Sequence, residues 1–460
     1  MSQEKRQLHL NLFLMSVGHH AAAWRDPDAH IEEIFDLQYF KWIAQTAERA
    51  KLDSLFLADG LATWSTSKSS LQGGLEPFTL LSALAAVTEK IGLIGTVSTT
   101  YNAPFHVARR FASLDHLSGG RAGWNIVTSG NEREAQNFGR EEHLQHAARY
   151  DKAREFLEVA TSLWDSWDDD ARIADKESGV YVDPDKIREI EHRGEWFSVR
   201  GPLNIPRSPQ AYPLLVQAGS SEDGKEFAAQ YAEAIFTAQQ TFQEGRDFYA
   251  DVKSRLPHYG RTPDDVKILP GISAVIAETE SEALDKEAAL HALVSPEQGI
   301  RQLSSILKVD LAEYPLDGPL PETPPIEEIN GHKSRFQLVT DLAHRENLTI
   351  RQLIFRLAGG RGHRTFAGTP IQVADQLEEW FTGGAADGFN VMPATLPGGL
   401  EDFVNLVVPE LQRRGLFRTE YTGNTLREHY GLARPANKFA GQPGISALED
   451  REKFKLSEFN

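Results

Sequence analysis

The sequence predicts an α/β protein built on a (βα)8 TIM barrel, with long insertions after the fourth and seventh strands and a C-terminal extension. Three observations carry this expectation. Short apolar runs alternate with longer segments of helical periodicity, the pattern of parallel βα units. The runs number eight, the count that closes such a barrel. The chain has 460 residues, whereas a bare barrel takes about 250, so large additions must ride on the same frame.

In chain order the strand candidates are Leu8 to Leu14, Ser54 to Asp59, Ile91 to Ser98, Ala122 to Ser129, Pro213 to Gly219, Ala232 to Ala238, Ile268 to Ala277 and Asp387 to Ala394. Between them FKWIAQTAERAK, FTLLSALAAVTEK, ARRFASLDHLS, RYDKAREFLEVATSLW and IQVADQLEEWF repeat apolar residues three and four apart, which gives each a face to lay on the barrel. The first insertion, 168–210, alternates aromatic and β-branched residues with polar ones and predicts a small hairpin. The second, 280–366, holds YPLDGPLPETPPIEEI, whose prolines bar regular helix and interior strand. It predicts a mobile, lid-like segment, because barrel active sites lie at the C-terminal ends of the strands, where this insertion would overhang. The tail, 416–460, is polar and is expected on the barrel exterior or on a neighbouring chain. A single barrel domain, 1–460, is the expected organisation.

Composition narrows the function. Lysine and arginine number 48 against 66 acidic residues, a net charge of −18, and such a surface repels polyanions, so nucleic acid is not expected as a partner. With no cysteine there is no thiolate nucleophile, disulfide or thiolate metal site. No run reaches the roughly 18–20 apolar residues of a membrane span, and MSQEKRQLHLNLFL, interrupted by His9 and Asn11, reads as a first strand. A cytoplasmic protein without membrane contact is expected. Sequences that would announce an NTPase loop, a serine-hydrolase elbow or a zinc protease do not occur.

Small polar residues gather where strands should end: Asp59, Thr96, Ser98, Thr99, Asn125, Thr128, Ser129, Ser220 and Ser221. Singly, each reads equally as a turn residue or helix cap. Jointly they suit the edge of a planar heterocycle and its polar chain, with AGSSEDGKE placing a phosphate at a helix N-terminus. After the first strand, GHHAAAWR brings His19, His20, Trp24 and Arg25 together. Adjacent histidines are poorly spaced to chelate one metal, and no metal site is expected. The RGHR run, Arg361 to Arg364, follows Gly359 and Gly360 and reads either as an anion clamp on a hinged loop or as a solvated turn.

The stretches LDSLFLADG, TTYNAPFHVARRFASLDHLSGGRAGWNIVTSGNEREAQNFG, HAARYDKAREFLEV, RGPLNIPRSPQAYPLLVQAGSS and AADGFN resemble the bacterial luciferase-like two-component flavin monooxygenases. The resemblance extends through the tail motif VVPELQRRGLFRTEYTGNTLREHYGL, and FTAQQT with GHRTFAGTP resemble its nitrilotriacetate monooxygenase component A branch. The resemblance implies a barrel that takes reduced FMN (FMNH2) from a separate NAD(P)H:flavin reductase. O2 then reacts through a C4a-hydroperoxide to oxygenate a small organic substrate, and the protein works as a homodimer or homotetramer. It implies flavin contacts at Asp59, Thr96, His146, Tyr150 and Ser221, with Asn125, Ser129, Ala218, Gly219 and Ser220 beside them. His20 is implied nearest the reacting centre, and Phe13, Trp24, Phe56, His106, Phe242 and His363 as substrate walls. Arg361 and Arg364, with His363, are expected to hold an anionic group of a carboxylated amine or thioether. The alternatives are an apolar aromatic, sulfone, halogenated or alkane substrate, a deazaflavin-dependent oxidoreductase on the same barrel, or a binding protein with a degenerate pocket.

Overall fold

Each of the eight apolar runs carries a parallel strand, and the eight close on themselves. The computed structural model describes residues 6–63, 71, 73–329 and 333–444. The barrel strands are β1 (His9–Phe13), β2 (Ser54–Leu57), β3 (Gly92–Ser98), β4 (Ala122–Val127), then, beyond a two-residue hairpin β5 (His192–Arg193) and β6 (Ser198–Val199), β7 (Leu214–Gln217), β8 (Ala234–Thr237) and β9 (Lys267–Ile276). A ninth parallel strand, β10 (Arg364–Gly368), lies outside the ring, and β11 (Gly388–Val391) completes it by pairing with both β9 and β1. At that seam His9 faces Gly388, where a Cβ would stand 1.9 Å from the His9 carbonyl oxygen, so only glycine lets the ends meet.

Helices cover the ring because local signals start them at the right places. Asp36 caps α1 (Leu37–Arg49) by accepting from the Gln38 N–H, and its inner face buries Tyr39, Phe40, Ile43, Ala44 and Ala47. Pro77 and Pro104 occupy the first turns of α2 (Pro77–Ala85) and α3 (Pro104–Ser118), and Gly119, at φ 70°, ends the latter. After the short α4 (Glu132–Asn137), α5 (His146–Trp164) buries Trp164, whose indole edges onto Trp124 of β4 at 6.2 Å. Beyond β7, α6 (Glu222–Tyr231) and α7 (Phe242–Arg255) follow in βα order.

The second insertion is helical: α8 (Glu280–Ala292), α9 (Pro296–Leu307), α10 (Lys333–Arg345) and α11 (Ile350–Gly360). It has a core of its own, in which Leu303, Leu307, Phe336, Val339, Leu342, Leu353 and Leu357 pack together. Its proline-rich connection makes only single turns and one bridge, Pro319 to Thr349. The chain then returns through β10 to α12 (Pro370–Thr382), capped by Thr369 and Gln372. No helix among the described residues is long and apolar enough to cross a membrane.

The tail corrects the sequence expectation. Its first part, instead of lying on the exterior, inserts Leu426 and Tyr430, both fully buried, among Phe13, Phe56, Ile94, Leu214, Val216 and Leu269 inside the barrel; residues 433–443 are largely exposed, and 445–460 lie outside the described residues. The hydroxyl of Tyr430 donates to Asn11 Oδ1 at 2.7 Å, and its ring stacks on His9 at 4.7 Å. A Cβ at Gly92 would strike Leu426, and one at Gly123 would strike Ile94 at 2.7 Å and crowd Leu426 at 3.3 Å, so glycines near the starts of β3 and β4 make room for this plug at the N-terminal end. Its polar residues are spent on ion pairs, Arg418 with Asp53 and Arg427 with Glu233, which made the segment look like surface.

Candidate active site

At the opposite end the strands deliver an aromatic floor. Phe13 (β1), Phe56 (β2) and Phe236 (β8) meet edge to face, every pair of ring centroids 5.2 Å apart. His19 tilts over Phe13 at 4.4 Å and donates through Nε2 to the Phe13 carbonyl, while His363 stacks on Phe236 at 4.9 Å. Phe13 and Phe56 thus form the base of the mouth rather than a side wall.

One half of the rim is lined with amides and hydroxyls. Thr96 donates to the Leu57 carbonyl at 2.7 Å and accepts from Asn125 Nδ2 at 2.8 Å, which turns Asn125 Oδ1 inward, buried and unpartnered. Gln217, the last residue of β7, presents a second buried unpartnered oxygen, Oε1. Ser129, held at φ 59°, hydrogen-bonds Ser98 at 2.9 Å, and Ser220 meets Thr237 at 3.1 Å. Asp59 accepts from the Gly60 N–H, and burial raises its pKa above the ordinary carboxylate value. A groove of about 860 Å³ opens beside Asp59, Thr96 and Ser98 and runs between α2 and α3.

The turn from β7 to α6 makes a cradle. Ser221 caps α6 by accepting from the Gly224 N–H, and the Tyr150 hydroxyl from α5 hydrogen-bonds Ser221. A Cβ at Gly219 would lie 2.3 Å from Gln217 Nε2 and 3.1 Å from Tyr150 Oη, and one at Gly224 would also approach Tyr150. His146, one turn before Tyr150, pairs through Nδ1 with Asp223 at 2.9 Å. Its pKa falls, first through burial and then through Arg149. Ala218 is exposed at the lip. These residues fit a flavin: two orphaned buried acceptors suit ring or ribityl donors, and the open helix N-terminus suits a phosphate.

The other half of the mouth is basic. His20 is buried, its Nδ1 accepts from the Ala22 N–H and its Nε2 has no partner. Burial, and next the facing His291, lower its pKa to about 4, and burial with Arg361 lowers that of His19 to about 3, so both imidazoles are neutral at pH 7. His363 is driven well below 6.5 by burial and the neighbouring Arg335. Arg361 closes α11 in the left-handed conformation and reaches Met15 Sδ at 3.9 Å.

Three expected substrate residues lie elsewhere. Arg364 is spent in the helix layer: it donates to the Gln240 carbonyl at 2.8 Å and to Gln376, and lies over the Trp380 ring. Phe242 packs edge-on to Trp380 on α7, and His106 is exposed in the first turn of α3. Trp24 sits partly buried with Val17, Ala23 and Ile34. Sequence reasoning passed over Gln217, although a glutamine ending an otherwise apolar buried run is a legible signal, and it passed over Phe236 and Arg335.

Comparison with known proteins gives the family. Residues 13–387 match the family described as luciferase-like monooxygenase. The chain is 53% identical over 441 residues to N-acetyl-S-(2-succino)cysteine monooxygenase of Bacillus subtilis (strain 168), spanning 96% of this chain and 100% of that one. It is 52% identical over 448 residues to nitrilotriacetate monooxygenase component A of Aminobacter aminovorans, spanning 95% and 98%. A crystal structure of riboflavin lyase with modified FMN and riboflavin superimposes with a TM-score of 0.83, at 33% identity, over 93% of this chain and 97% of that one.

Proposed function

The chain belongs to the luciferase-like monooxygenase family, and on that premise we propose that it is the oxygenating component of a two-component system that uses reduced FMN and O2 to oxidise a small carboxylated amine or thioether. The observation that carries the flavin is the rim itself, with the orphaned oxygens of Asn125 and Gln217 at one end and the Tyr150–Ser221 cradle at the other. Bound reduced flavin supplies two electrons to O2, so that one oxygen atom enters the substrate and the other leaves as water.

The protein's share is orientation and dryness. Ser221, Tyr150 and the first turn of α6 would hold the phosphate, with His146 beside them, and Thr96 fixes the Asn125 amide that would face the flavin. The floor of Phe13, Phe56 and Phe236 keeps water from the reacting centre, where unproductive loss of reduced flavin would otherwise compete. His20, neutral, accepts the Ala22 N–H through Nδ1, so its proton sits on the free Nε2, which can donate a hydrogen bond there. The two relatives at 52–53% identity are named for substrates built on succinyl and triacetate groups, which supports the carboxylated class. One of them is named as a component A, which supports a separate NAD(P)H:flavin reductase as partner. In the same reading the chain works in the cytoplasm as a homodimer or homotetramer.

The test is direct. The purified chain with FMN and NADH alone oxidises no NADH; with a flavin reductase added, mass spectrometry finds one 18O atom from 18O2 in product formed from nitrilotriacetate or N-acetyl-S-(2-succino)cysteine. NADH consumption by this chain alone rejects the two-component reading.

A further inference from the structure

We propose that Arg335 and Arg361 together form a carboxylate-binding site at the barrel mouth, one that selects substrates carrying two carboxylates close to the atom oxidised. This deepens the preceding reading and rests on it for the identity of the reaction, though not for the binding of the anion.

The two arginines come from different elements of the second insertion. Arg335, on α10, lays its guanidinium against Gly362, where a Cβ would stand 2.5 Å from Nη1; Gly362, at φ 87°, leaves that space open. Its Nη1 is shut off from solvent and has no hydrogen-bond partner. Arg361 has a thioether sulfur at 3.9 Å for its side-chain contact, a poor acceptor for a guanidinium. Among the described residues no carboxylate oxygen comes within 4.0 Å of either.

Four buried arginines elsewhere in this chain are treated otherwise. Arg207 is paired with Asp165 and Asp169, Arg188 with Asp168, and Arg427 with Glu233. Arg121 is surrounded by the carbonyls of Ala85, Thr88, Ile91 and Ser118. In a protein of net charge −18, acids are abundant, yet this pair has been left without one. Two sheltered like charges side by side are costly unless an anion arrives to share them. The repulsion is visible in Arg335, whose pKa burial and then Arg361 bring down to about 10, still charged at pH 7.

The surroundings suit a dicarboxylate. His19 and His363, neutral beside the arginines, stand on the aromatic floor and leave the positive charge at the mouth to the two guanidinium groups. Two forks can each take one carboxylate in bidentate fashion, fixing the carbon between them over Phe13 and Phe236. Arg364 has no part in this, being held by Gln240 and Gln376; the clamp is Arg361 with Arg335, residues 26 apart in the chain.

Calorimetry on the full chain, with and without FMN, tests the site with succinate and tricarballylate against neutral succinamide. The acids bind and succinamide does not. Arg335→Gln and Arg361→Gln each weaken succinate at least tenfold without changing FMN affinity, Arg335→Lys recovers part of the loss, and Arg301→Gln, on the outside of α9, changes nothing. Thermal melts confirm that the variants are folded, and the lysine variant serves if a glutamine variant is not. Absence of binding by both acids, or undiminished binding in both glutamine variants, overturns the site. Charge-dependent succinate binding without any 18O transfer to carboxylated amines or thioethers, reductase present, instead leaves the site standing and overturns the proposed reaction.

Discussion

Tyr150 and Ser221 are separable from the rest of the rim by the ligand offered. If they hold the phosphate, Tyr150→Phe and Ser221→Ala each weaken FMN by the roughly 0.5–1.5 kcal/mol of a hydrogen bond, more where the acceptor is charged, while riboflavin, lacking phosphate, binds as before. Fluorescence titration with both flavins reads this, and equal losses for both place the residues elsewhere. His20 offers a pH handle. Its pKa is lowered from 6.5 to about 4 in the fold, so below pH 6.5 the unfolded chain takes up a proton that the native chain refuses. Stability therefore falls as pH drops from 6.5 to 4, by on the order of 3 kcal/mol for this one group, and is unaffected by it above 6.5. Urea melts of His20→Gln should show a shallower acid limb than the native protein; parallel limbs refute the assignment. The rim hydroxyls were legible because strand ends in a barrel converge on one place. Arg335 was not, since nothing in GHKSRFQLV tells that its one arginine will find no acid.

At the scale of elements, the legible strands were those whose surroundings are apolar on both faces, and β10 escaped for the opposite reason. It begins at Arg364 behind two glycines, a spelling that reads as a hinge. The glycines are instead the last turn of α11, and a Cβ on Gly360 would lie 2.7 Å from the Thr365 methyl, so they let helix and strand touch. The seam between β1 and β11 makes a sharper case. Gly388→Ala pushes a methyl into the His9 carbonyl, a backbone contact that cannot swing aside. The barrel should lose about 1–3 kcal/mol or more, seen as a lower Tm with hydrogen exchange accelerated first along β1 and β11. An unchanged Tm shows that the seam can open without cost.

The whole molecule is two cores joined at one mouth. The proposed flavin rim is carried by β2, β3, β4, β7, β8 and the starts of α5 and α6, whereas Arg335 and Arg361 belong to the helical insertion with its own apolar centre. Leu353→Ala, in the middle of that centre, removes roughly 2–5 kcal/mol of local packing. Succinate affinity and kcat/KM for the carboxylated substrate should fall while FMN affinity holds, and hydrogen exchange should rise in α9, α10 and α11 alone; simultaneous loss of FMN binding contradicts the division. The plug at the other end bears on how the molecule is made. Strand β1 is made before the other barrel strands, yet β11, which seals its edge, and Leu426 and Tyr430, which fill the ring beneath it, are made after all of them. At about 5–20 residues per second, the growing chain carries an unsealed apolar bowl for on the order of 20–80 s. Closure thus waits on the synthesis of β11 and residue 430, and a chain stopped before β11 leaves that edge of β1 unpaired.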